Sequence, residues 1–421
     1  MSTPRPRRTL LFGVLFICTC TGVAVAQHEG GVTGGGMIGG STSRPSNKPP
    51  ASTTTKPTTK PTSTGPARKR PTTTVNKPAS TTTAGTTKPA VPSNTSTPAK
   101  PNANSAEYYY QQGEALYNAK QYREALDPYL RAAQLKPSLS NAWYRLGWIY
   151  NDLEDYQSAI DPLKRAIALQ PNYAPAHFEI GYAYKKLNRF NEALAAFQQC
   201  VRANIDYPTA HYEIGWIQND LKNYDEAIKA LKLAMQYRDN YAEAHNEMGY
   251  ALRNLGRYAD AVDEYQQAIR LKPDMGLAYL GLGDVYYYNL KQYEPAANAY
   301  KEGTRLRPDN AGALYNLGWC YNDLERYSEA IDQLRKAVTV KPDYAEAYNE
   351  MGYALHQLRR YQEAVQSYQS AIRYKTDYAS AHYNLAMSYI ALRNKNAALE
   401  QYRILQRIDP ARATKLFNQV K

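Results

Sequence analysis

From Ala106 to the C-terminus, small and large apolar positions return in a fixed order every 34 residues. Gly113, Gly147, Gly181, Gly215, Gly249 and Gly283 keep that spacing, Gly318 follows after 35, Gly352 resumes it, and Ala386 replaces the glycine in a ninth unit. An alanine stands twelve residues after each of these positions, thirteen in unit six, from Ala125 and Ala159 to Ala364 and Ala398. Pro137, Pro171, Pro273, Pro308, Pro342 and Pro410 close six of the units. Small residues at two fixed places let two helices approach, larger ones three or four positions away fill the space between them, and a proline ends the second helix. The pattern predicts nine helix pairs over 106–412, with units starting at 106, 140, 174, 208, 242, 276, 311, 345 and 379. Each unit buries its apolar face only against its neighbours, so the stack is the cooperative object. Leu416, Phe417 and Val420 predict a capping helix over 413–421. Pro128 and Pro162 fall inside predicted second helices and predict kinks there. The extra residue of unit six, near Tyr286-Tyr287-Tyr288, predicts disturbed register or a loosened loop.

The residues before this array follow a different pattern. Arg5, Arg7 and Arg8 precede a mostly apolar run, Leu10 to Ala26, that ends in Ala24-Val25-Ala26 before Gln27. This reads as an export signal over 1–26, or else as an uncleaved anchor; both place the rest of the chain outside the cytoplasm, in the periplasm, cell envelope or medium. Residues 27–40 are Gly-rich, and 41–105 are dominated by Thr, Pro, Ser, Ala and Lys. With almost no large apolar side chain, 27–105 is predicted to be a disordered linker, with a reach on the order of 50 Å as a flexible coil. Its lysines offer contact to a cell wall or another anionic polymer.

Charge changes the picture only through its location. The chain carries a formal +13, yet residues 41–105 hold ten basic side chains and no acidic one, whereas 106–421 hold 38 basic and 37 acidic. A high pI usually points to nucleic acid, but here the basicity lies in the signal and linker, so no specific nucleic-acid binding is expected. Cys200 and Cys320 alone remain after signal removal and read as buried thiols.

Unit two shows the series Trp143, Leu146, Gly147, Tyr150, Ala159, Leu163, Ala166 and Pro171. This resembles the tetratricopeptide repeat (TPR), and nine registered copies carry the resemblance over 106–412. It implies an all-α fold: a right-handed superhelical solenoid of about nine helix pairs plus a capping helix, preceded by the linker. It also implies a concave groove lined by unit positions 2, 5, 9, 12 and 13, counting the glycine as 8, and a protein or peptide partner held there.

On those positions stand Tyr144, Tyr212 and Tyr315 at 5, and Trp148, Tyr182, Trp216, Tyr250, Trp319 and Tyr353 at 9. Position 12 carries Asn151, Lys185, Asn219, Arg253 and Asn322. Units two, four and seven share Gly-Trp followed by Asn-Asp, and units three, five and eight share Gly-Tyr, so a 68-residue pair is the longer period. The aromatic ladder suits an extended peptide. Sugar rings stack on the same faces, so a carbohydrate or cell-wall ligand is the alternative. Packing between units is a further role for these residues, with Asp152 pairing Lys185 or Lys186 and Asp220 pairing Arg253. His177, His211, His245 and His382 share position 4, a whole unit apart, which is too far for one metal. No phosphate loop, zinc motif or nucleophile elbow occurs, so neither catalysis nor a cofactor is expected.

Overall fold

The computed structural model describes residues 102–420. The expected export signal, 1–26, and all but the last few residues of the expected linker lie outside the described residues. Among the described residues every regular element is helical. They form two compact bodies, 102–188 and 189–420, divided within the third unit.

The first body holds α1 (Ala106–Asn118), α2 (Tyr122–Leu135), α3 (Ser140–Asp152), α4 (Tyr156–Leu169) and α5 (Ala174–Lys186). The second begins with α6 (Phe190–Ala203) and continues as pairs: α7 (Pro208–Asp220) with α8 (Tyr224–Tyr237), and α9 (Ala242–Asn254) with α10 (Tyr258–Leu271). Next come α11 (Gly276–Asp284) with α12 (Tyr293–Leu306), α13 (Ala311–Asp323) with α14 (Tyr327–Val340), and α15 (Ala345–Gln357) with α16 (Tyr361–Tyr374). The last pair is α17 (Ala379–Ala391) with α18 (Lys395–Ile408), followed by α19 (Pro410–Val420).

The period has a steric cause. A Cβ on Gly215 would stand 2.6 Å from Leu231 of the paired helix, and one on Gly352 would stand 2.7 Å from Tyr368. The unit alanines, among them Ala125, Ala227, Ala330 and Ala398, are fully buried. The glycine therefore admits the large side chain of the second helix, and the alanine lets the two backbones meet around it. The turn inside each pair uses a left-handed residue, such as Lys222 (φ 62°) or Glu325 (φ 58°), and glycine fills this place at Gly256 (φ 76°). Both helices that contain an internal proline run on through it, α2 past Pro128 and α4 past Pro162, with the same 14 residues as their counterparts.

Two features differ from expectation. The last helix starts at Pro410, not 413: the Asp409 carboxylate accepts from the Arg412 amide (3.0 Å), and proline suits the first helical turn. It brings Ala413 and the fully buried Leu416 onto Ala386, Ala398 and Leu405. The extra residue of unit six loosens no loop. It is absorbed as one π-helical turn, Val285–Asn289, that extends α11, the usual way a helix accommodates an insertion without breaking.

Candidate binding face

The first helices present aromatic groups at predicted positions 5 and 9, each fixed on one edge by another aromatic ring. At position 9 the partner is the aromatic that opens the preceding second helix. Tyr182 meets Tyr156 (ring centroids 6.2 Å apart), Trp216 meets Phe190 (5.9 Å), Tyr250 meets Tyr224 (6.3 Å) and Tyr353 meets Tyr327 (6.2 Å). At position 5 the partner closes the same unit: Tyr144 with Tyr173 (5.0 Å), Tyr212 with Tyr241 (5.1 Å) and Tyr315 with Tyr344 (5.1 Å). Trp216, Tyr250, Trp319 and Tyr353 keep part of their surface in solvent, as do Tyr182, Tyr144 and Tyr212. Trp148 (7 % exposed) and Tyr315 (9 %) are buried instead. Trp148 lies in a stack in which the Arg145 guanidinium is 4.9 Å from its ring and 5.0 Å from that of Tyr117. Arg145 in turn donates twice to the Glu114 carboxylate (2.7 and 3.0 Å).

The position-12 asparagines do not face the groove. Asn151 Nδ2 donates to the carbonyl (3.0 Å) and carboxylate (2.9 Å) of Glu179, and Asn219 Nδ2 makes the same two bonds to Glu247 (3.0 and 3.1 Å). Asn322 repeats them on Glu350 (3.2 and 3.3 Å). All three amides are at most 4 % exposed. The 68-residue period is thus the spacing of an amide clamp: asparagine in units two, four and seven, glutamate at position 6 of units three, five and eight. Those glutamates were not singled out from sequence, although their recurrence at position 6 was the available signal. Burial pushes the Glu350 carboxyl up to about 7, with Asp323 adding to the rise and the bonds from Asn322 and Asn349 opposing it.

Arg253 does not pair with Asp220 as expected. It donates to Asp284 (2.8 Å), the position-9 acid of the next unit, which also accepts from the Tyr300 hydroxyl (2.8 Å). Lys185 is partly buried, and its neighbour Lys186 lies 5.4 Å from the Tyr182 ring centroid. The π-turn builds a local cluster. The Tyr287 hydroxyl bonds to Asp323, the Tyr288 hydroxyl donates to Asn316 (3.2 Å), and both rings pack on Trp319 (5.7 and 6.3 Å).

The position-4 histidines repeat a bond made by Trp143, whose indole N–H donates to the Pro137 carbonyl six residues back (2.9 Å). The Nε2 atoms of His177, His211 and His382 lie 2.7, 2.9 and 2.9 Å from the equivalent carbonyls of Pro171, Ile205 and Thr376. The fourth, His245, meets Glu264 through Nδ1 (2.6 Å). Cys200 and Cys320 are buried free thiols. Among the described residues no group of His, Cys, Asp and Glu forms a metal site, and no helix is long and apolar enough to cross a membrane.

Comparison with family models matches the tetratricopeptide repeat at residues 140–173, 178–244, 277–310 and 379–412, and the TPR repeat at 249–289, 320–359 and 357–392. Together these matches span more than half of the chain. Comparison with curated proteins gives no match. Among solved structures, the chain is similar to YrrB, described as a TPR protein with an unusual peptide-binding site (20% identity, 44% of this chain and 95% of that one, TM-score 0.40). It is also similar to MamA (24% identity, 41% and 93%, TM-score 0.38) and to Pseudomonas aeruginosa pilF (18% identity, 50% and 97%, TM-score 0.43).

Proposed function

Because the chain belongs to the tetratricopeptide-repeat family, we propose that it is a non-catalytic scaffold that holds an extended peptide segment of a protein partner along its first helices, outside the cytoplasm. Repeats of this family generally serve protein–protein interaction without catalysis. The observation that carries the peptide reading is the row of partly exposed Trp216, Tyr250, Trp319 and Tyr353. The first two and Tyr353 lean one edge on an aromatic of the unit before, and Trp319 leans on the π-turn. A ring already fixed on one side loses little freedom when a ligand covers the other, so it contributes area at low entropic cost. Export rests on the arginines and apolar run of residues 1–26. N-terminal sequencing of the mature protein should then begin at Gln27.

The test is binding of the full chain to a displayed library of extended peptides and, in parallel, to a glycan array. Peptides that bind should lose about tenfold in affinity with Trp216→Ala or Trp319→Ala, the size expected of a central aromatic contact. Glycans bound in a Trp216-dependent manner, with no peptide retained, would replace this reading with the carbohydrate one, which rests on the same aromatic faces.

A further inference from the structure

A concavity of about 440 Å³ opens in the second body beside α7, α9 and α11, at positions 2 and 5 of the binding face. Its charged lining is unbalanced: Glu243, Glu247, Asp274 and Asp309 face only Lys272 and Arg307. Lys272 is already engaged, since its Nζ donates to Glu243 Oε1 (3.0 Å). The site is also short of donors. Asn246 directs Nδ2 toward Glu247 Oε1 (3.4 Å), while its own Oδ1 is buried with no hydrogen bond. Tyr212, Met275 and the 45 % exposed Leu277 supply apolar wall beside these acceptors. Surplus negative charge, surplus acceptors and an apolar wall together describe a seat for a lysine, which brings three donors on an aliphatic stem.

The chain carries a segment of matching chemistry. Residues 41–105 hold ten basic side chains and no acidic one, and six of the seven lysines there precede proline: Lys48, Lys56, Lys60, Lys77, Lys88 and Lys100. A residue before proline is held out of the helical region by sterics and kept extended. A Lys-Pro step bound in extended form therefore has less ordering entropy to lose than an ordinary dipeptide. Six copies raise the chance that one is engaged at any moment. We propose that this concavity seats the Lys-Pro steps of residues 41–105 of the chain itself, so that the basic segment occupies part of the binding face until a partner displaces it. The proposal rests on the reading of this face as a peptide site and assigns it a built-in competitor.

Carbodiimide coupling of the purified full chain tests it, because this reagent joins an amine to a carboxylate only where the two are in contact. Mass spectrometry of the digest should find the linker lysines joined mainly to Glu243, Asp274 or Asp309. Leu277→Arg adds a cation at an exposed position without removing a carboxylate, and should lower those products at least threefold. High salt should do the same. Coupling spread evenly over exposed carboxylates elsewhere, such as Asp225, Glu226 and Glu302, would overturn the proposal, and so would indifference to Leu277→Arg. The assay needs no partner. Its failure beside Trp216-dependent peptide binding removes this inference alone, whereas failure of both removes the peptide reading as well.

Discussion

Glu350 shows what a single side chain carries when a repeat position is conscripted into packing. Its carboxylate accepts from Asn322 and Asn349, yet burial dominates and raises its pKa from 4.5 to about 7. The folded state therefore keeps a proton that the unfolded chain releases above 4.5. Stability from this group is full below pH 4.5 and is lost as pH rises through 7. Glu350→Gln keeps an acceptor and removes the charge. Its melting temperature should match that of the wild type near pH 4.5 and exceed it at pH 8, the equivalent of about 3 kcal/mol of stability. A constant offset across that range would show that the carboxyl ionises normally. Asn219 is the other half of such a clamp. Asn219→Ala strips a partly buried carbonyl and carboxylate of Glu247 of their donor and should cost about 1 to 3 kcal/mol by urea denaturation. The same substitution at the exposed Asn254, whose Nδ2 donates only to Tyr250 O within its own helix, should cost far less. The sequence shows the asparagines recurring but is silent on direction, because the position-12 side chain and the next unit's position 6 become neighbours only when the units stack.

At the scale of the element, the repeat was legible because its cause is local and steric. A glycine opposite Leu231 or Tyr368 and a fully buried alanine leave a periodic mark that survives variation elsewhere. The fate of the inserted residue in unit six was not legible. An insertion costs one register shift whether it enters a loop or a helix, and the choice depends on what the shifted side chains meet. Here the π-turn lets Tyr287 reach Asp323 and Tyr288 reach Asn316. Deleting Tyr286, which restores the 34-residue spacing, should leave helical content unchanged by circular dichroism. It should lower stability by about 2 to 4 kcal/mol through the lost bonds, one of them to a carboxylate. A melting temperature equal to the wild type would mean the turn is a tolerated accident.

At the scale of the second body, stability is a sum over neighbours, so its end is its weak point. The last unit is closed by α19 through Leu416. Leu416→Ala should cost about 2 to 4 kcal/mol, and the loss should be local. Hydrogen exchange should speed up in α17 and α18 while α7 to α10 keep their protection. Uniform loss along the body would contradict nearest-neighbour behaviour.

The sequence by itself determined the all-helical repeat, its nine pairs and its cap, since each depends on residue size at fixed spacing and on proline and glycine placement. It also named the aromatic positions of the first helices. Only the tertiary structure decided which of those positions reach solvent. Trp148 and Trp216 occupy the same place in their units, yet one is buried in a stack with Arg145 and the other keeps part of its surface in solvent. It likewise turned Asn151, Asn219 and Asn322 inward and sent Arg253 to Asp284. The physical reason is common to all of these. A side chain's neighbours across a helix pair are fixed by the repeat, whereas its neighbours in the adjoining unit depend on the particular residues that meet there.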